Sequence, residues 1–265
     1  IRPRDWSSDV CSSDLKKNSM QMMLASMALM LMASPAFAQK FKVAKVERTR
    51  ILIDQRWDAQ PDAEAAKFIA PYQHKVDSIM GPVVGSVAHD MTRHRPESEL
   101  SNLLSDILVW GGRQFNEQPV FSVYNMGGIR ADFAKGDINV GDVSEVAPFE
   151  NKICFLTLTG EKVLELFQQI AHRGGEGVSH AVRMVITRDG KLKSVTLNGE
   201  SIDPAKSYRI ATLNYLAEGN DQLVAFKSGT DVVAPKAKEN NVRYIIMDYL
   251  REMKAQGKVV ESRIE

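Results

Sequence analysis

The sequence predicts an α+β domain of mixed sheets layered with helices. Three observations carry that expectation. Strand-like runs at residues 120–124, 152–158 and 208–213 mix irregularly with helix-period runs at 99–115, 160–173 and 241–256. A hairpin pattern at 183–197 interrupts any strict strand–helix–strand series, and no segment repeats at a fixed period. Regular alternation would predict a parallel doubly wound sheet, whereas irregular mixing predicts mixed pairing.

The elements follow in chain order. Residues 41–53 are strand-like, with Val43, Val46, Ile51 and Ile53 set among Lys, Arg and Glu. Residues 62–80 place Phe68, Ile69, Tyr72, Val76 and Ile79 on one side of a helix. Pro71 is expected to kink or interrupt that helix, because it lacks an N–H and crowds the preceding turn. Gly81-Pro82 ends it, and residues 83–87 read as a strand. In 99–115, Leu100, Leu103, Leu104, Ile107 and Trp110 recur at three- and four-residue steps behind Ser98, a natural N-cap. Thr159 caps a helix that buries Val163, Leu166, Phe167 and Ile170 and stops at Gly174-Gly175. The hairpin turns at Asp189-Gly190. The final helix turns Val242, Ile245, Ile246, Tyr249 and Met253 inward, and Gly257 closes it.

The N-terminal region reads as processing sequence. Residues 1–15 look like a translated sequencing adapter, with no apolar periodicity. Residues 16–38 read as a secretory signal peptide: Lys16 and Lys17, an apolar run at 20–33, and an A-x-A site at Ala36-Phe37-Ala38. Cleavage after Ala38 would place the protein in the periplasm or outside the cell. The apolar run falls short of the roughly 18–20 residues a membrane span needs, so no stable membrane anchor is expected. Residues 39–82 then form an N-terminal strand and connector helix, and 83–265 the main domain. Removing residues 1–38 leaves 227 of the 265 residues, with 30 Lys/Arg and 30 Asp/Glu. That neutral balance argues against a nucleic-acid polymer as partner, since tracking phosphates requires clustered excess cations. Cys154 is then the single cysteine, and its strand pattern makes it a small core residue.

Three loop segments carry the chemistry. Asn125-Met126-Gly127-Gly128-Ile129-Arg130 follows a strand, so its glycines allow a sharp turn and Arg130 offers forked donors to phosphate or ribose. Pro148-Phe149-Glu150-Asn151 presents a ring at a loop tip beside an amide that both donates and accepts. Asn214-Tyr215 and Gly219-Asn220-Asp221 supply a second ring and a carboxylate suited to ribose hydroxyls. Two rings on separate loops can sandwich a flat base. Taken singly, each feature reads first as a tight turn, a surface arginine or a core aromatic. Their order and spacing point to nucleoside binding.

With the runs Glu97-Ser98-Glu99-Leu100-Ser101-Asn102, Gly136-Asp137-Ile138 and Thr212-Leu213-Asn214-Tyr215-Leu216-Ala217-Glu218 added to these segments, the chain from about His89 onward resembles the C-terminal domain of the 5'-nucleotidase / UDP-sugar hydrolase family. The resemblance implies that Phe149 and Tyr215 stack the base, Tyr215 replacing a usual Phe. It implies further that Asn151 contacts the base, Asp221 the ribose, and Arg130 the ribose-phosphate side. A further family arginine falls on His94 by strict register, flanked by Arg93 and Arg95, and all three stand as candidates. Where the family has Gly-Gly-Asp, this chain has Gly219-Asn220-Asp221. Helix 62–80 resembles the connector preceding this domain in full-length members.

Full-length members also carry a metallophosphoesterase domain with two metals, built on Asp-x-His, Asn-His-Asp/Glu and His-x-His clusters. The five histidines here, His74, His89, His94, His172 and His180, form none of these. The expectation is therefore a substrate-recognition subunit, holding no cofactor of its own and inactive alone. A separately encoded metallophosphoesterase would supply the divalent metals. A non-catalytic periplasmic nucleoside-binding module and a fragment of a full-length 5'-nucleotidase are the alternatives.

Overall fold

A computed structural model describes residues 45–51 and 62–262. The chain divides into two units, residues 1–61 and 62–265. The adapter-like and signal-peptide segments lie outside the described residues. In the first unit, residues 45–51 are exposed and carry no strand pairing, in contrast to the strand expected over 41–53, the rest of which lies outside the described residues. Alternation alone does not make a strand, since its backbone groups need a ladder partner.

The second unit begins with α1 (Ala63–Met80), capped by the Asp62 carboxylate, which accepts from the Glu64 and Ala65 N–H groups. The helix runs through Pro71 without interruption, which leaves a kink as the remaining expected effect of the missing donor. None of its residues is buried, and Phe68, Tyr72 and Val76 lie open on its surface. Among the described residues no helix is long and apolar enough to cross a membrane.

The remaining elements alternate irregularly, as the pattern predicts. They are β1 (Val83–Val87), α2 (Glu99–Gly111), β2 (Phe121–Tyr124), β3 (Gly136–Asn139), α3 (Val140–Val146), β4 (Ile153–Thr159) and α4 (Gly160–His172). After them come β5 (Gly177–Val178), β6 (Val182–Ile186), β7 (Leu192–Leu197), β8 (Glu200–Ser201), β9 (Ser207–Leu213), α5 (Asn214–Ala217), β10 (Thr230–Val233) and α6 (Val242–Ala255). Ser98 caps α2 in a reciprocal box with Ser101, and the Thr159 hydroxyl caps α4 by accepting from Lys162 N. β3, α3 and the short strands β5, β8 and β10 have too few residues to show a period.

The central sheet runs β10–β4–β9–β2–β5, with β2 and β9 parallel and every other pair antiparallel. β1 pairs with β3, and β6, β7 and β8 form a separate three-stranded sheet. Phe121 of β2 packs on Phe167 of α4 with ring centroids 5.4 Å apart, and Trp110 of α2 meets Tyr249 of α6 edge-on at 5.3 Å. Val163, Leu166, Phe167 and Ile170 of α4 are fully buried, each contributing roughly 1.5–3 kcal/mol. Arg209 of β9 grips Glu117 with both arms of its guanidinium, at 2.7 and 2.6 Å, and so fixes the chain entering β2.

Cys154 is a free, buried thiol, as its strand pattern predicts. Burial pushes its pKa up to about 11 from 9.0, with Arg209 pulling weakly the other way. Burial likewise raises the Tyr124 phenol far above its ordinary value. Both groups fold in their neutral forms, so the stability they confer is complete below their unfolded pKa values of 9.0 and 10.0. It is lost as pH rises above those values, because only the unfolded chain can then ionise freely. The urea midpoint is therefore expected to fall between pH 8.5 and pH 10.5, with Cys154 reacting with Ellman's reagent only as the protein unfolds. A native thiol that reacts readily at pH 8 would contradict this reading.

Candidate functional site

The parallel β2–β9 pair decides where the three loop segments meet. Phe121 sits opposite Ile210 and Ser122 opposite Ala211, so both strands end on the same side, delivering Asn125 and Asn214 together. β4 runs antiparallel to β9 with Ile153 opposite Leu213, so the chain entering β4, with Pro148 to Lys152, starts at that same end. β5 joins from the other flank, with Tyr124 opposite Gly177, which sets Glu176 beside Asn125 and Met126.

Each loop is tied to its neighbour. Asn214 Oδ1 accepts from Lys152 N at 2.7 Å, and Asn214 N donates to Lys152 O at 2.9 Å. Asn151 O accepts from Val242 N at 2.9 Å, so its main chain is anchored to the start of α6. Arg243 Nη2 donates to Pro148 O at 2.7 Å and to Phe149 O at 3.1 Å, pinning the backbone under the Phe149 ring. Asn220 Nδ2 donates to Tyr215 O at 2.8 Å, closing the loop that carries Asp221. Phe149 and Tyr215 are left 48% and 36% exposed, and no aromatic pair among the described residues includes either.

A polar network lies beside Tyr215. Asp221 Oδ2 accepts from Asn125 Nδ2 at 2.8 Å, and Asp221 Oδ1 from the Tyr215 hydroxyl at 3.2 Å. Arg173 Nη2 lies 3.7 Å from Asp221 Oδ2. The same arginine donates through Nε to Glu176 Oε1 at 2.7 Å. Glu176, whose side chain is wholly buried, also accepts from Arg95 Nη2 at 2.9 Å and from Met126 N at 2.5 Å. Asp221 and Gln222 adopt left-handed backbone conformations, φ +54° and +61°, which turn the carboxylate into the network. Gly175 stands at φ +102°, and a Cβ there would come within 2.0 Å of Pro96 O. Only glycine lets the Glu176 loop approach the Arg95 segment this closely. Partial burial and the Asp221 carboxylate together raise the Tyr215 phenol above its usual value, which keeps its proton as a donor to Asp221.

The three candidates around the unassigned arginine separate cleanly. Arg95 joins the Glu176 network. Arg93 donates through its guanidinium to Ile129 O, and its N–H donates to Asp132 Oδ1 at 3.0 Å, so it braces the loop before Arg130. His94 is exposed and lines a surface hollow with Glu97, Ser98 and Asn102. Arg130 is exposed, and its main-chain N–H is held by Val146 O at 3.0 Å. Among the described residues no group of three or more His, Cys, Asp or Glu is arranged to hold a metal ion.

Sequence reasoning assigned no role to Asn125, Arg173, Glu176, Asn214 or Arg243. The available signal was slight: a charged pair around the Gly174-Gly175 helix stop, and asparagines at two strand ends.

The family described as 5'-nucleotidase, C-terminal domain, matches residues 83–228. The chain belongs to this family. Among relatives of the 5'-nucleotidase C-terminal domain, Protein UshA of Escherichia coli is 29% identical over 157 residues, covering 58% of this chain and 28% of its own length. Protein UshA of Yersinia enterocolitica is 26% identical over 224 residues, 83% of this chain and 40% of its own. The crystal structure of a 5'-nucleotidase precursor from Thermus thermophilus superposes with a TM-score of 0.64 at 28% identity, over 78% of this chain and 43% of that one. The chain thus spans less than half the length of the relatives it matches. The superposition agrees with the α+β expectation, and the family is the one resembled in the sequence.

Proposed function

We propose that this chain is the nucleotide- or nucleoside-recognition subunit of a 5'-nucleotidase-type phosphohydrolase. It would act with a separately encoded metallophosphoesterase that supplies the divalent metals and the attacking water. The observation that supports the reading is that the loops bearing the exposed Phe149 and Tyr215 leave the same end of the sheet, where Tyr215 joins a prearranged carboxylate–guanidinium network. Phe149 and Tyr215 stack the base between them, and Asn151 reads its edge. Asp221 accepts from the ribose hydroxyls. An ionised carboxylate offers about four acceptor positions, and Asn125 and Tyr215 hydrogen-bond two of those of Asp221. Arg130 meets the ribose-phosphate side. Arg95, the candidate drawn into the network, adds positive charge beside it.

The division of labour follows from how such a reaction is driven. Phosphate-ester hydrolysis needs a metal-activated water and a clamp on the developing charge. Recognition of base and ribose needs rigid, preorganised side chains, which this site holds through backbone anchors at Pro148, Phe149, Asn151 and Tyr215. Export through the signal peptide, with cleavage after Ala38, is part of the same proposal, and N-terminal sequencing of the secreted protein tests it. The central experiment is phosphate release from AMP in the presence of Mn²⁺. The pure chain is expected to release none, and addition of the metallophosphoesterase to restore turnover. Robust hydrolysis by the chain alone would overturn the division. Calorimetric titration with AMP is expected to show saturable binding without the partner, and its absence would overturn the recognition role.

A further inference from the structure

Among the described residues β6 is an edge strand, paired in its sheet only with β7. Three hydrogen bonds show which of its backbone groups point outward. Asn198 N donates to Ala181 O at 2.7 Å and Thr187 N to Lys191 O at 2.9 Å, so odd-numbered residues from 181 to 187 turn their polar groups toward β7. The bulge in this ladder places its extra residue, Lys193, on β7, so alternation along β6 is unbroken. Val182 N, an even-numbered donor, points the other way and reaches Ser179 O at 3.0 Å. Met184 and Ile186 therefore present N–H and C=O groups along the open edge.

That edge borders a groove of about 660 Å³ that runs past every residue from Val182 to Arg188 and extends over the hairpin face to Ser194 and Thr196 of β7. Pro96, Gly174 and Val178 form the facing wall. An extended chain segment matches this geometry, because it supplies backbone partners for the edge and side chains for the walls. The charge selects which segment. Between residues 182 and 197 the hairpin carries Arg183, Arg188, Lys191 and Lys193 against Asp189 alone, and that aspartate is already paired with Lys191 at 2.7 Å. Arg183 and Arg188 both line the groove and are exposed. Two carboxylates also line the groove: Glu176 is neutralised by Arg95 and Arg173, and Glu97 accepts from Asn102 Nδ2 at 3.1 Å, so the two arginines still outweigh the one carboxylate without a cationic partner. Like charges disfavour pairing with the same hairpin of a second copy.

We propose that the open edge of β6 takes up an extended acidic peptide of a protein partner by strand addition. The peptide bonds to the backbone of Met184 and Ile186 and sets its carboxylates against Arg183 and Arg188. The groove shares Glu176 with the nucleotide network, but the proposal does not depend on the nucleotide reading.

The test is fluorescence anisotropy of the full chain with a fluorescein-labelled ten-residue peptide of alternating Glu and Val, and with its Lys/Val counterpart. The acidic peptide is expected to bind at least tenfold tighter. Met184→Pro removes only an outward-facing N–H, a position where an edge strand tolerates proline, and is expected to weaken binding at least tenfold. Should that variant fail to fold, amide N-methylation of the acidic peptide applies the same block from the other side. Arg183→Glu with Arg188→Glu is expected to move the preference to the Lys/Val peptide. Equal affinity for the two peptides would overturn the proposal, as would undiminished binding of the N-methylated one. A dimer in sedimentation that Met184→Pro dissociates would also overturn it, by showing that a second copy fills the edge.

Discussion

Glu176→Ala lowers the unfolding free energy by about 3–5 kcal/mol, the expected cost of removing one partner from a buried ionic cluster. The carboxylate is wholly buried and answers three donors: Arg95, Arg173 and the Met126 N–H. Its removal leaves the Met126 N–H, on a fully structured turn, without an acceptor. It also leaves two guanidiniums facing each other without their shared counter-charge. Arg95 and Arg173 retain some solvent access, with side chains 34% and 18% exposed, so part of their charge can be screened by water. The N–H has no such relief. Glu176→Gln keeps the shape and one acceptor, and its loss is expected to be smaller. Urea denaturation followed by tryptophan fluorescence measures both, and a loss below about 1 kcal/mol for the alanine variant would show that the cluster does not organise this end of the sheet.

The second large effect is on binding and leaves stability alone. Phe149→Ala and Tyr215→Ala are each expected to weaken AMP binding by about 1–3 kcal/mol, roughly five- to 150-fold, if each ring supplies one face of the base sandwich as proposed. Both rings are too exposed to support the core, so each variant is expected to unfold within about 0.5 kcal/mol of the parent. Tyr215→Phe separates the two jobs of that side chain. It keeps the stacking face and gives up only the hydroxyl bond to Asp221, so AMP binding is expected to weaken less than in Tyr215→Ala. Calorimetry on the three variants and their parent reads the pattern. If both alanine variants bind AMP as the parent does, the clamp is wrong. If they bind weakly because they have unfolded, the rings are structural.

Much of the fold was legible because its elements are long enough to show a period. Leu100, Leu103, Leu104 and Ile107 are all buried in α2, and Thr159 caps α4 as its position suggests. Where the pattern misled, a local rule met a different context. Of the two effects expected of Pro71, interruption does not occur, and α1 continues through it. The alternation at 41–53 reads as a strand, but residues 45–51 form no ladder, because alternation names a face and not a partner.

The site divides along the same line. Phe149, Asn151, Tyr215 and Asp221 stand out in the sequence because they follow turn residues at strand ends, and those signals are local. Arg173 and Glu176 do not stand out. Their importance comes from β5 pairing with β2, which brings Glu176 to Met126 across 50 residues, and from Asp221 reaching Asn125 across 96. The choice among Arg93, His94 and Arg95 is equally invisible to register alone, since three consecutive residues point in three directions.

By itself, then, the sequence determined which of the longer segments from residue 62 onward are helix and strand, and which loops carry rings, amide and carboxylate. Those properties depend on side chains within one or two turns of each other. Only the tertiary structure decided that three loops share one end of a sheet, that Arg95 and not its neighbours joins the buried carboxylate, and that β6 keeps an open edge. Each of these depends on how strands distant in sequence pair, and no pattern within a single segment encodes that pairing.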